Sequence, residues 1–151
     1  MSVKNASFVK STSFLLSKNS LRVLDGVNPV LSTLASLAIK DSPIDFGIPS
    51  SGGFRTAAEQ RKLYDDNKSR CDGTKRLSKH QSGNALDFYA YVDGKYSDDK
   101  VHLTLIAMTF FHKAAQLRNA GVIKEELIWG ASFGENGYSF NGWDYFHIEI
   151  K

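Results

Sequence analysis

The stretch SKHQSGNALDF, residues 78–88, sets a histidine, His80, at the end of a polar run and a carboxylate, Asp87, inside an apolar one. In an extended strand Leu86 and Phe88 point to one face and Asp87 to the other, so the aspartate projects alone. An unpaired buried carboxylate is costly, and a metal ion or a cationic partner offsets that cost. His80, seven positions earlier, is the obvious companion. A second histidine, His147, sits in the alternating tail YFHIEIK, again with apolar neighbours facing away. Two strand residues and one loop residue can supply three ligands to a Zn²⁺ and leave a fourth position for water, as catalytic zinc sites require. Asp144, three residues before His147, is placed to meet a metal-bound water. A His-x6-Asp spacing arises easily by chance, so the small residues Gly83 and Ala85, which leave room for close backbone approach, carry more weight.

The elements that must position these groups follow from caps and periodicity. Asn28-Pro29 reads as an N-cap and first helical residue, followed by an apolar face of Val30, Leu34 and Leu37. Ile44, Phe46 and Ile48 alternate as a half-buried strand, which the run Ser50-Ser51-Gly52-Gly53 ends in a turn. Thr56 and Glu59 form a capping-box pattern opening a helix that carries Leu63 and Tyr64. The polar segment from Asp65 to Lys79 is a loop delivering His80. Ala85 to Val92 is rich in strand formers, and Asp93-Gly94 predicts a hairpin. Asp98 or Asp99 caps a long helix from about Val101 to Ala120, closed by Gly121; its apolar residues cover most of the circumference, which predicts a central buried helix. In the tail, Phe146, Ile148 and Ile150 share one face, and Tyr145, His147 and Glu149 the other. Helices followed by paired strands give an α+β class with a small antiparallel sheet.

Composition bounds the rest. A chain of 151 residues that is 42% hydrophobic can bury one substantial core, so one domain is expected. The formal charge of +3 suits work near anionic polymers but equally suits many enzymes. The lone cysteine, Cys71, excludes an intrachain disulfide. No run of 18 apolar residues occurs and the N-terminus lacks a signal-peptide core, so neither membrane insertion nor export by a leader is expected. Nucleic-acid binding is disfavoured, since no clustered Lys/Arg face or known motif is present.

Ser78-x-His80-x-x-Gly83-x-Ala85-x-Asp87 and Asp144-x-x-His147 together resemble the zinc D-alanyl-D-alanine peptidase family, the VanY-like group that shares its core fold with Sonic hedgehog and lysostaphin. Within it, Ser42 to Phe46, Gly53-Phe54-Arg55-Thr56, Gln60 to Tyr64 and Trp129-Gly130 resemble the bacteriophage L-alanyl-D-glutamate endopeptidases, a branch of endolysins. The likeness runs from about Val27 to the C-terminus, leaving residues 1–26 as an N-terminal extension and 27–151 as one catalytic domain. It implies a hedgehog/D-Ala-D-Ala-peptidase-like fold, with Zn²⁺ held by His80, Asp87 and His147, and Asp144 as general base. It also implies Arg55 beside a substrate carboxylate or developing oxyanion, and Ser78 as a lesser substrate-binding residue. The implied substrate is bacterial peptidoglycan and the implied outcome host cell lysis. The expected agent is a monomer that gathers in the host cytoplasm and reaches the wall once a separate membrane-permeabilising protein has acted. The sequence departs from the family after Gly130, where a longer glycine-containing segment, ASFGENGYSFNGW, bears on the shape of the substrate groove.

Other readings stand beside this one. A D,D-carboxypeptidase or dipeptidase could use the same scaffold, and a non-catalytic metal-bound wall-binding module could keep the fold without turnover; Asp144 argues for catalysis. His102 and His112 lie in the long helix without a carboxylate at ligand spacing and are read as structural. Glu149 either orients His147 or is an exposed strand residue. Trp129 and Trp143 either line a saccharide-peptide groove or belong to the core.

Overall fold

In the computed structural model, which describes residues 13–133 and 143–151, four α-helices pack against two three-stranded antiparallel sheets. Residues 1–12 and 134–142 lie outside the described residues, and with them the start of the N-terminal extension and most of the segment that departs from the family pattern.

The first helix, α1 (Lys18–Leu24), falls inside residues 1–26. Its Ser20 hydroxyl accepts the Ile48 N–H at 2.9 Å, and Leu24 enters the core. Helix α2 (Pro29–Asp41) starts as expected, with Asn28 Oδ1 accepting the Val30 N–H at 2.9 Å. Its buried face is Leu31, Leu34, Ala35, Ala38 and Ile39, while Val30 and Leu37 are half-buried. The expected face is thus rotated, because Ala35 and Ala38 let α2 approach the long helix α4 (Lys100–Asn119) closely. Asp99 Oδ1 caps α4 through the Val101 N–H. Against expectation α4 is buried on one face only, through Leu103, Ile106, Ala107, Phe110 and Ala114, and exposes Val101, Leu105 and Met108. With the core on one side of the helix, these apolar residues remain partly in solvent.

The run Ala85–Val92 is two strands, not one. Strand β2 (Ala85–Asp87) belongs to one sheet and β3 (Tyr89–Val92) to the other. Phe88, 1% exposed, sits at the crossover; its N–H donates to the Phe146 carbonyl, and its ring packs on Phe110. The first sheet is β1 (Asp45–Gly47), β3 and β4 (Lys95–Ser97), with the predicted hairpin closed by Asp93 and Gly94 at positive φ, 51° and 77°. The second is β2, β6 (His147–Ile150) and β5 (Leu127–Trp129). Ile148 and Ile150 face the core, but Phe146 precedes β6 and is partly exposed. Between the sheets' elements runs α3 (Ala57–Asp65), whose Thr56–Glu59 capping box is complete. Its inward residue is Gln60, fully buried, whereas Tyr64 is exposed.

Candidate metal centre

Asp87 on β2 pairs directly with His147 on β6, so the two side chains stand together on one sheet face. His80 arrives from a 3₁₀ turn, Lys79–Ser82, whose ends are built by the local sequence. Ser78 Oγ accepts the His80 N–H at 3.3 Å, the Ser78 N–H donates to Gln81 Oε1, and Gly83 closes the turn at φ 73°. That backbone conformation suits glycine. Ser78 therefore shapes the turn that presents His80, and it also borders the cleft.

The three donors converge tightly. His80 Nε2 lies 3.2 Å from Asp87 Oδ1, His147 Nδ1 lies 3.0 Å from the same oxygen, and the two nitrogens are 3.2 Å apart. Tetrahedral ligands at about 2.0–2.1 Å from a zinc ion are separated by about 3.3–3.4 Å, so the spacing suits such an ion. Among the described residues, His80, Asp87 and His147 are the group whose donor atoms lie within 4.8 Å of one another.

Each donor is also held from behind. His80 Nδ1 donates to the Gly53 carbonyl at 2.8 Å, and His147 Nε2 to Glu149 Oε2 at 2.8 Å, which turns the opposite nitrogen of each ring toward the centre. Asp87 Oδ2 takes Arg55 Nη2 at 2.7 Å. Glu149 is therefore the His147 orienter rather than an exposed strand residue. Arg55 is turned toward Asp87, with Nε on the Ser51 carbonyl and Nη1 on Gln60 Oε1. A guanidinium has five N–H groups, so these three bonds leave donors over. Sequence reasoning assigned no role to Gln60; its position on the inward face of a polar helix was the available signal.

Electrostatics follow the packing. Burial alone would raise the Asp87 carboxyl, but hydrogen bonds from His147 and His80 hold it well below the usual carboxylate range. Burial works to lower His147, yet its bonds to Asp87 and Glu149 push it up to about 9. Asp144 is raised, first by burial and then by the nearby Asp87 charge. It stands just outside the triad on the chain entering β6, where its carbonyl accepts the His147 N–H. Its backbone passes so close to Gly130 that a Cβ there would collide with the Asp144 carbonyl.

The triad, Arg55, Ser78 and Asp144 all face one cleft of about 1090 Å³. Trp143, 54% exposed, lines it, while Trp129, 2% exposed, is core and donates to the Tyr145 carbonyl. His102 binds Ser97 Oγ and His112 is exposed on α4; neither joins the centre. Cys71 is half-buried; its carbonyl accepts from Gln60 and its N–H donates to Ser69 Oγ.

Two imidazoles and one carboxylate converging in a cleft, with a further carboxylate beside them, form the kind of centre that metal-dependent hydrolases use. The chain belongs to the phage L-alanyl-D-glutamate peptidase family, whose profile matches residues 12–150. It is 32% identical over 139 residues to the L-alanyl-D-glutamate peptidase of Escherichia phage T5, covering 92% of this chain and 90% of that one. It is also similar to the crystal structure of the Serratia marcescens L-Ala D-Glu endopeptidase ChiX, with a TM-score of 0.68 and 25% identity over 91% of this chain and 90% of the other.

Proposed function

We propose that the protein is a phage endolysin that hydrolyses the L-alanyl-D-glutamate bond of peptidoglycan stem peptides, with residues 27–151 as its catalytic domain. The observation that carries this reading is the triad itself, in which all three donors face inward while Gly53, Glu149 and Arg55 hold their outer atoms. His80, Asp87 and His147 would hold a zinc ion, which supplies an acidified water and polarisation of the attacked carbonyl. Asp144 takes the proton of the attacking water and returns it to the leaving amine. Arg55 fixes the orientation of Asp87 and offers its remaining N–H groups to the developing oxyanion. Ser78 holds the His80 turn and borders the bound peptide.

The same reading makes the enzyme a monomer that gathers in the host cytoplasm and meets the wall once another protein has permeabilised the membrane. No helix among the described residues is long and apolar enough to cross a membrane. Digestion of purified sacculi by the zinc-loaded protein is expected to expose new N-terminal D-glutamate. Release of terminal D-alanine instead would make it a carboxypeptidase, and no product of either kind would overturn the hydrolase reading.

A further inference from the structure

Besides Arg55, four cations line the cleft. Lys79 gives its Nζ to the Ile150 carbonyl. The other three, Lys68, Arg70 and Arg76, carry no salt bridge among the described residues. Of the cleft's carboxylates, Asp87 is bound to Arg55 and the imidazoles and Glu149 to His147, while Asp144 forms no salt bridge to these cations among the described residues.

The loop carrying these cations is built rather than loose. Gln60 Nε2 donates to Ser69 Oγ at 2.7 Å and to the Cys71 carbonyl at 2.9 Å. Asp72 Oδ1 accepts the N–H groups of Thr74, Lys75 and Arg76, each at 2.9 Å, and Gln81 Nε2 donates to the Gly73 carbonyl. Arg70 is further placed by its side chain, with Cζ 4.5 Å from the Trp143 ring centroid. Trp143 lies 6.0 Å from Phe133, and Phe133 lies 5.5 Å from the His147 ring. An aromatic ladder thus leads from the metal centre to Arg70.

A guanidinium stacked on an indole keeps its edge N–H groups free for a planar, two-oxygen acceptor. A glutamyl residue joined to alanine through its nitrogen and to the next residue through one carboxyl keeps its other carboxyl free. The leaving side of the scissile bond therefore carries a carboxylate close to the chemistry. Arg55 is bonded to Asp87, and in the reading above its remaining N–H groups serve the developing oxyanion, which leaves that carboxylate to another cation of the cleft.

We infer that Arg70, flanked by Arg76 and Lys68, is the recognition site for the free carboxylate of the glutamyl residue on the leaving side of the scissile bond. This assignment rests on the peptidase reading above. The test uses the full zinc-loaded chain and two soluble stem peptides, one with the free glutamyl carboxylate and one with a carboxamide there. Amidation is expected to lower wild-type kcat/KM about tenfold, mainly through KM, the size of one charge-assisted hydrogen bond. Arg70→Gln should lose about tenfold on the carboxylate peptide and no longer distinguish the two. Lys124→Gln, an exposed cation outside the cleft, should keep the wild-type ratio. Calorimetric binding of the D-glutamyl product peptide and its amide needs no turnover and should show the same loss of discrimination in Arg70→Gln. Wild-type discrimination retained by Arg70→Gln in that binding measurement would overturn the assignment, whether or not the peptides are cleaved. Failure of wild type to cleave either peptide would instead remove the peptidase reading.

Discussion

Arg55 Nη2 meets Asp87 at Oδ2, 2.7 Å away, the carboxylate oxygen that neither imidazole touches. One oxygen is thereby left to the metal side while the other is locked by a cation that is itself pinned to Ser51 and Gln60. Arg55→Ala should weaken zinc affinity about 10- to 100-fold, as loss of such outer partners typically does. Arg55→Lys should fall between, because an ammonium keeps the charge but not the three-way fork. Competition with a chromogenic chelator measures both.

The proposed roles of holding a metal and of using it can be tested separately at this site. His80→Ala removes a donor and should abolish stoichiometric zinc. Asp144→Asn keeps the triad and should retain one zinc per chain while losing about 10²- to 10⁴-fold in rate, the usual worth of a positioned base. Metal analysis beside sacculus digestion decides; unchanged lysis in Asp144→Asn would give the base role to another group.

Gly130 is required by a backbone contact, not by a turn. A methyl group there would strike the Asp144 carbonyl and its Cβ. Gly130→Ala should displace Asp144 and mimic the activity loss of Asp144→Asn, with zinc still bound. Full activity in this variant would show that the chain entering β6 yields without consequence.

Proton linkage at His147 gives a signed expectation. Its pKa is raised by folding, so its contribution to stability is complete below about 6.5 and is lost as pH rises through about 9. Asp87 is lowered, so its contribution holds above the ordinary carboxylate range and is lost only in acid. Chelator-treated protein should therefore show a falling Tm between pH 6.5 and 9. Zinc must displace the His147 proton, so its affinity should climb about tenfold per pH unit over that window. Thermal melts and pH-dependent calorimetry check the two halves.

Much of the centre was legible because its residues announce themselves one at a time. His80, Asp87 and His147 each combine a donor side chain with a strand or turn context, and Asn28, Thr56 and Asp99 cap helices by local rules. Less legible was anything decided by what a segment packs against. Ala85–Val92 reads as one strand because Phe88, Tyr89, Tyr91 and Val92 favour extended backbone and no Gly or Pro interrupts the run; only the pairing of Asp87 with His147 and of Tyr89 with Gly47 shows that it serves two sheets. Arg55 and Gln60 are polar residues with many conceivable partners, and their mutual bond depends on how α3 sits against the loop before it. The buried face of α2 was misplaced because alanine carries little pattern, although close helix packing selects it.

The crossover at Phe88 places Asp87 of the centre and Tyr89 of the hairpin one residue to either side of it. Tyr89 and Tyr96, which meet edge to face, line the same cleft as Asp87. The sheet that carries the candidate donors Asp87 and His147 and the sheet that carries these two tyrosines thus share one strand-to-strand junction, so a substitution at Phe88 bears on both at once.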